Sequence, residues 1–257
     1  MRMRGRCRLL SILACATAVG AVGASSTHAA GTPSQATLPP AIPPGTQPLS
    51  NEQTETRWAY PERRAAIYAR PSGRSRKVGR LRLLTEDQFP ELYMVLSRWV
   101  DPANGNTWLR IRIPKRPNGR TGWVPSNALG TLTVNRKMID VDKRRLRLTV
   151  FDRGKVVMTA RIGVGKKGTI TPSGHFYVRE KFHVTGVPLY GPRAIGTSAY
   201  APTLSDWPGG GVVGLHGTNQ PGLIPGRPSH GCIRLRNRDI LRLYRLAARG
   251  TPIHIHN

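Results

Sequence analysis

The sequence predicts a mostly β chain with one short helix near its end, and three observations carry that prediction. From Trp58 to about Gly130 the apolar residues come in short runs, AAIYARP, KVGRLRLL, LYMVLSRWV, TWLRIRIP and GRTGWVP, broken by turn residues. Such spacing suits a small antiparallel barrel or sandwich. Beyond Thr131, RRLRLTVF alternates polar and apolar residues, DRGK is a turn signal and VVMTARIGVG is a second strand, so residues 145–165 should form a β-hairpin. Only NRDILRLYRLAARG gathers apolar residues, Ile240, Leu241, Leu243, Tyr244 and Ala247, on one helical face. Asn237 or Arg238 stands where an N-cap belongs, and Gly250 before Thr-Pro makes the stop.

In chain order, MRMRGRCR is a basic region, LLSILACATAVGAVGA an apolar one, and SSTHAAG a small-residue end resembling a cleavage site near Ala29 or Ala30. Residues 1–30 therefore read as a secretory signal peptide. An uncleaved anchor, or a lipid on Cys15, is the alternative, and the membrane is expected as a partner only through an uncleaved signal. Residues 31–54, rich in Pro, Thr, Ser and Gln with no apolar period, are expected to be an unfolded spacer, either a tether or a frayed terminus. Residues 55–130 form the first folded part. Trp108 and Trp123 there either line a groove or fill the core, and core is the commoner fate. Residues 131–257 form the second part, with another turn and strand at TPSGHFYV, a loop-rich stretch over 182–215 and a last strand at PIHIH.

The formal charge is +27, from 40 Lys and Arg against 13 Asp and Glu, which predicts an anionic neighbour and says nothing about fold. Nucleic acid is not expected, because aromatics are few and neither zinc-finger spacing nor an RNP-like run is present. An anionic wall polymer or membrane surface fits an exported chain.

Signal cleavage would remove Cys7 and Cys15 and leave Cys232 as the single thiol of the three in the chain, excluding an intramolecular disulfide. A lone cysteine of an exported protein is an inert buried thiol, a dimerising one or a reactive one. Its setting, RPSHGCIRL, supplies Ser, His, Gly and Arg, residues that seldom line a dry core. Cysteine catalysis needs a thiolate, a base and donors for an oxyanion. Gly231 lets the chain turn sharply beside the sulfur. His216, in VVGLHGTN, would serve as base and lower the thiol pKa as an imidazolium partner if the loop NQPGLIPGRPS brings two strand ends together. No Asp or Glu lies near these motifs, so a backbone carbonyl or hydroxyl is expected to orient His216. As metal ligands, His216, His230 and Cys232 lack a fourth partner and a Cys-x-x-Cys anchor. His254 and His256 read as the polar face of the last strand, and no metal is expected.

HGTN followed by SHGCIRLRNRD resembles the signature of the L,D-transpeptidase catalytic domain: a histidine, a loop, then Ser/Thr-x-Gly-Cys-x-Arg/Asn. The strand pair at Ile139 to Val164, TPSGHF and a Tyr-rich loop precede it in the family's order, so the resemblance covers residues 131–257. TWLRIRI and GRTGWVPSNAL, turning at Pro117-Asn118-Gly119, resemble the last strands of bacterial SH3-like domains.

Together these resemblances imply an SH3-like barrel followed by an L,D-transpeptidase-type β-sandwich with a short C-terminal helix. They imply Cys232 as nucleophile, His216 as base, and the Gly231 and Cys232 amides as oxyanion donors. Arg234, His230, Ser229, Gly217 and Tyr190 are implied as substrate-binding residues, with Ser229 more a turn residue than a nucleophile and Asn237 ordering the entry to the helix. The implied activity is acyl transfer between peptidoglycan stem peptides at the wall or periplasmic side of the membrane, by a monomer without cofactor. The sequence leaves the acceptor open: another stem's amine, water, a free D-amino acid or a protein. A wall-binding protein with a degenerate site is the alternative from a different class.

Overall fold

The computed structural model describes residues 42–204 and 208–257. The expected signal segment with Cys7 and Cys15, residues 31–41 of the expected spacer, and Trp207 lie outside the described residues.

Eight strands make the first sheet: β1 Gln47–Pro48, β2 Thr56–Ala59, β3 Ala66–Tyr68, β4 Lys77–Arg80, β5 Tyr93–Val100, β6 Thr107–Arg112, β7 Thr121–Pro125 and β8 Thr133–Asn135. Their order is β4-β3-β7-β6-β5-β2-β8, with β1 paired to the far half of β5. All pairings are antiparallel. Ile67, Leu81, Val95, Ile111 and Val124 fill its core. Trp108 and Trp123 are buried, only 8% and 2% exposed, so they are core residues and not a groove.

Two expected limits shift. The spacer ends before residue 54, because the chain from residue 42 lies along the sheet. Leu49 and Ser50 both donate backbone N–H to Leu96 O, and the Ser50 hydroxyl donates to Val95 O at 2.5 Å. Arg112 grips both carboxylate oxygens of Glu52. Pairing a backbone to an open sheet edge needs no apolar period, which is why composition read this stretch as unfolded. At the other end β8 pairs with β2, so the first sheet runs past Gly130 to Asn135.

The second sheet holds β9 Lys137–Asp142, β10 Arg147–Asp152, β11 Lys155–Gly165, β12 Gly174–His183, β13 Arg193–Tyr200, β14 Val212–His216, β15 Gly226–Ser229, β16 Ile233–Leu235 and β17 Pro252–His256. Their order is β10-β9-β17-β12-β13-β14-β16-β11-β15, and β10 also pairs with β11, so the path closes on itself. The expected hairpin is β10–β11, turned by Arg153 and Gly154 at φ 49° and 78°, the paired positive angles that a tight two-residue turn requires. Three pairings, β11–β15, β14–β16 and β17–β9, are parallel. The single α-helix among the described residues, α1 Asn237–Leu246, buries Ile240 and Leu243 in the core. Arg236, and not Asn237 or Arg238, is its N-cap, with no side-chain capping bond.

The two sheets meet across buried polar contacts. Arg179 of β12, 1% exposed at its side chain, forks onto the fully buried Glu91 with Nε 2.9 Å from Oε1. Arg82 closes on the same carboxylate at 2.9 Å, and the Tyr177 hydroxyl donates to Leu92 O at 3.1 Å. Burial works against the neighbouring Glu86 carboxylate, yet Arg179, the Tyr200 hydroxyl and Arg82 hold its pKa down at about 2. Gly250, at φ 77°, ends the segment after α1 where Trp58 of β2 packs, and a Cβ there would sit 2.0 Å from the indole.

Removing one member of a buried pair leaves an uncompensated charge, which costs about 3–5 kcal/mol. Glu91→Ala is expected to lower unfolding stability by that order, measured by urea denaturation, whereas Glu55→Ala, in an exposed pair with Arg136, should change it by well under about 1 kcal/mol.

Candidate active site

Strand β14 ends at His216 and β16 begins directly after Cys232. Their parallel register sets Leu215 opposite Ile233 and His216 opposite Arg234. The intervening segment is not all loop. GRPS forms β15, which runs parallel to the end of β11, with Gly163 facing Gly226 and Gly165 facing Ser229. Gly163 leaves room for this approach, since a Cβ there would lie 3.1 Å from the Pro228 ring, while Gly165 leaves room for the segment at residues 169–171, since a Cβ there would lie 2.3 Å from Thr169 O.

The turn bearing the thiol is fixed by hydroxyls. Ser229 Oγ donates to Cys232 O at 2.5 Å and accepts the Gly231 N–H at 3.2 Å. Thr171 Oγ1 donates to Gly231 O at 2.8 Å and accepts the Gly165 N–H at 2.9 Å. Gly231 sits at φ 129°, a conformation open to glycine. Ser229 is thus the turn residue expected. The Gly231 amide is already engaged by Ser229, which leaves the Cys232 amide as the expected oxyanion donor.

His216 is 4% exposed, and its Nδ1 lies 2.6 Å from Gly217 O. A carbonyl only accepts, so Nδ1 carries the proton and Nε2 is the free base of a neutral ring. The backbone carbonyl expected to orient His216 is therefore that of the next residue. Burial, opposed by this bond and aided by Arg234, pulls the imidazole pKa down to about 4. Burial likewise pushes the Cys232 thiol up, against the Gly214 N–H and Arg234, with Gly214 N 3.5 Å from Sγ. Both shifts run against a thiolate–imidazolium pair and favour a thiol beside a neutral imidazole, because desolvation opposes each charged form more than the single cation nearby offsets.

A pocket of ≈160 Å³ brings together Cys232, His216, Tyr190, Ser229, Gly231 and Arg234, with His230 also on its wall. Tyr190 tilts against the His216 ring at 4.6 Å. His230 is exposed at the rim, its pKa lowered by burial, Lys166 and Arg234. Arg234 Nη1 donates to Gln220 Oε1 at 3.2 Å, while its buried Nε has no partner among the described residues. Gly217 is not on the pocket wall. It packs behind His216, where a Cβ would meet Asn237 Oδ1 at 2.4 Å and Gly191 Cα at 3.1 Å. Asn237, expected to order the helix entry, instead accepts the Thr218 N–H at 2.9 Å across that glycine contact.

Two contributors from the first sheet's β6–β7 turn were not legible as site residues. Arg116 donates to Ala201 O, Leu204 O and Gly210 O, and Asn118 pairs with the backbone of Tyr200 through both ends of its amide. Ala201, Leu204 and Gly211 line the Cys232 pocket, so this turn holds one wall of it. Proline and glycine marked the turn in the sequence, but no local signal shows what its arginine reaches.

The family model of the YkuD L,D-transpeptidase catalytic domain matches residues 136–255. A Bacillus subtilis protein bearing the name L,D-transpeptidase YqjB is 32% identical over 123 residues, 45% of this chain and 68% of that protein. The chain belongs to the YkuD family of L,D-transpeptidase domains. Another family member, bearing the name YkuD in Bacillus licheniformis, is 36% identical over 117 residues, 46% of this chain and 62% of that protein. The chain spans about three fifths of the length of the two YkuD proteins it matches, 62% and 59%. A crystal structure of an Enterococcus faecium L,D-transpeptidase is 27% identical with a TM-score of 0.37, covering 47% of this chain and 49% of that one.

The protonation states of this YkuD-family site are testable by alkylation. The rate of iodoacetamide reaction at Cys232 is expected to rise steadily with pH to a midpoint above the ordinary thiol range. A plateau of reactivity between about pH 5 and 8, the mark of a thiolate held by an imidazolium, would contradict this assignment.

Proposed function

We propose that the chain is a cysteine L,D-transpeptidase acting on peptidoglycan stem peptides. The observation that carries this reading is the meeting of Cys232 with a deeply buried His216, whose proton is fixed on Nδ1 by Gly217 O, in a pocket that also holds Arg234.

In the proposed reaction, Sγ attacks the carbonyl before the D-Ala of a donor stem while His216 Nε2 takes the thiol proton. A neutral pair makes His216 a true general base, acting as the bond forms. The developing oxyanion is met by the Cys232 amide. His216 returns the proton to the departing D-Ala amine, leaving a thioester on Cys232. An amine of a second stem then attacks the thioester with His216 again as base, regenerating the thiol and closing a cross-link between third residues. Two covalent steps thereby replace one difficult exchange. The unpartnered Arg234 Nε supports a role in binding the stem carboxylate, since a buried N–H without an acceptor is costly until one arrives.

Attraction to anionic wall polymers belongs to the same proposal. A second cleft of ≈730 Å³ carries Arg116, Lys143 and Arg227 with no Asp or Glu among its lining residues. Burial and Arg227 lower the Lys143 pKa, so an incoming anion would relieve a repulsion already present. We further propose an SH3-like first domain that supports the catalytic one, and an exported, wall-facing location. No helix among the described residues is long and apolar enough to cross a membrane.

The test is product analysis by chromatography and mass spectrometry, with a tetrapeptide-stem muropeptide as substrate. Wild type is expected to release D-Ala and form a cross-linked dimer. Cys232→Ala should abolish both, and Arg234→Ala should lower kcat/KM by about 10-fold or more, the scale of a lost charge-assisted contact. With His216 near 4, the acid limb of kcat/KM should fall only below about pH 5. D-Ala release without dimer would make the chain a carboxypeptidase. No release from a folded protein would overturn the enzyme reading in favour of wall binding.

A further inference from the structure

Of the seven histidines in the chain, three, His175, His254 and His256, gather on one face of the second sheet. β17 lies between β12 and β9, and its register sets His254 opposite His175 on one side and opposite Asp140 on the other. His256 follows two residues on, on the same face of the strand. The rings of His175 and His254 stack at 4.5 Å, and those of His254 and His256 at 4.9 Å.

Asp140 draws this row to a point. Its Oδ1 lies 3.1 Å from His256 Nε2 and 3.5 Å from His254 Nδ1. One donor atom from each of the three residues falls within 4.8 Å of the others. A tetrahedral zinc ion with bonds of about 2.0–2.1 Å has edges of about 3.3 Å between its ligand atoms. The two Asp140 separations already bracket that edge. Among the described residues the ion-pair partners of Asp140 are these two imidazoles alone, in a chain with 40 Lys and Arg against 13 Asp and Glu. The side chains keep 38%, 24% and 35% exposure for His254, Asp140 and His256, enough for an ion to enter. Asp140 and His254 also face a cavity of ≈390 Å³ shared with Glu52, Thr54 and His175, so water can complete the coordination.

We propose that Asp140, His254 and His256 form a binding site for a divalent cation of the zinc class. Two imidazole nitrogens and one carboxylate suit a borderline cation better than magnesium or calcium, which prefer oxygen. Bound there, the ion would tie β9 to β17 beside the segment around Glu52. The histidine pair read as a strand's polar face because its carboxylate partner lies more than a hundred residues upstream.

The test is isothermal titration of zinc chloride into the untagged, chelator-treated full chain at pH 8. Cys7→Ala, Cys15→Ala and Cys232→Ala together are the background, so that no thiol can bind the ion. One site is expected, weakened about 10–100-fold or more by Asp140→Asn and by His254→Ala, the scale seen when a metal's supporting groups are removed, and magnesium should give no binding. Because either variant could perturb the strand, His256→Gln at a half-exposed position provides a third, with circular dichroism confirming its fold. Cobalt(II) offers a second readout, visible absorption bands of a low-coordinate site that His256→Gln abolishes. Zinc binding equal to wild type in all three variants would overturn the proposal, as would the absence of stoichiometric binding by the parent chain.

Discussion

The proposed catalysis depends on the parallel pairing of β14 with β16. Antiparallel neighbours can be joined by a tight turn, whereas parallel ones need a long return path, and here that path is residues 217–232. By sending the chain back alongside itself, the pairing ends one strand on His216 and starts the other immediately after Cys232. A one-residue slip would exchange the two faces of the strand and part the pair. The slip is opposed by Leu215, Ile233 and Leu235, all buried in the core, and by β15, which anchors the return path to the glycine-bearing end of β11. A rigid sheet thereby sets the nucleophile and the base, and loops supply only the pocket walls.

The second dependence runs between the two sheets. Buried charges at the joint, Arg179 with Glu91, contribute less net stability than their number suggests, because desolvation offsets much of the attraction. Their geometric effect is larger. With the joint fixed, the turn carrying Arg116 and Asn118 is held against Tyr200, Ala201, Leu204 and Gly210, of which Ala201 and Leu204 line the site. The first sheet thus supports a wall of the pocket, with Trp108 and Trp123 committed to its core.

The legibility of the sequence followed the range of the interactions concerned. The β10–β11 hairpin was readable because its turn demands particular residues at consecutive positions. Cys232 and His216 stood out because a cysteine, its glycine and a distant histidine form a recognisable pattern, and the fold sets both on the wall of one pocket. Residues acting across the fold were not readable. Thr171 fixes the turn before Cys232 from the segment between β11 and β12, Asn237 reaches back from the helix to Thr218, and Gly217 packs behind His216 and accepts its Nδ1–H at the backbone carbonyl. Residues 42–54 looked unfolded because edge pairing and one Arg–Glu fork order them without any apolar pattern. The direction of the pKa shifts at Cys232 and His216 was not readable, because it depends on burial that the sequence does not show.

The central claim is that Cys232 carries the acyl group and that His216 activates it as a neutral base. The most direct measurement is intact-protein mass followed by peptide mapping, on the full chain quenched in acid during turnover of a tetrapeptide-stem muropeptide. The account predicts a mass increase equal to the donor minus D-Ala, confined to the Cys232 peptide. The increase should be absent in Cys232→Ala and formed far more slowly in His216→Ala. An adduct on another residue, or one formed as fast without His216, would contradict it.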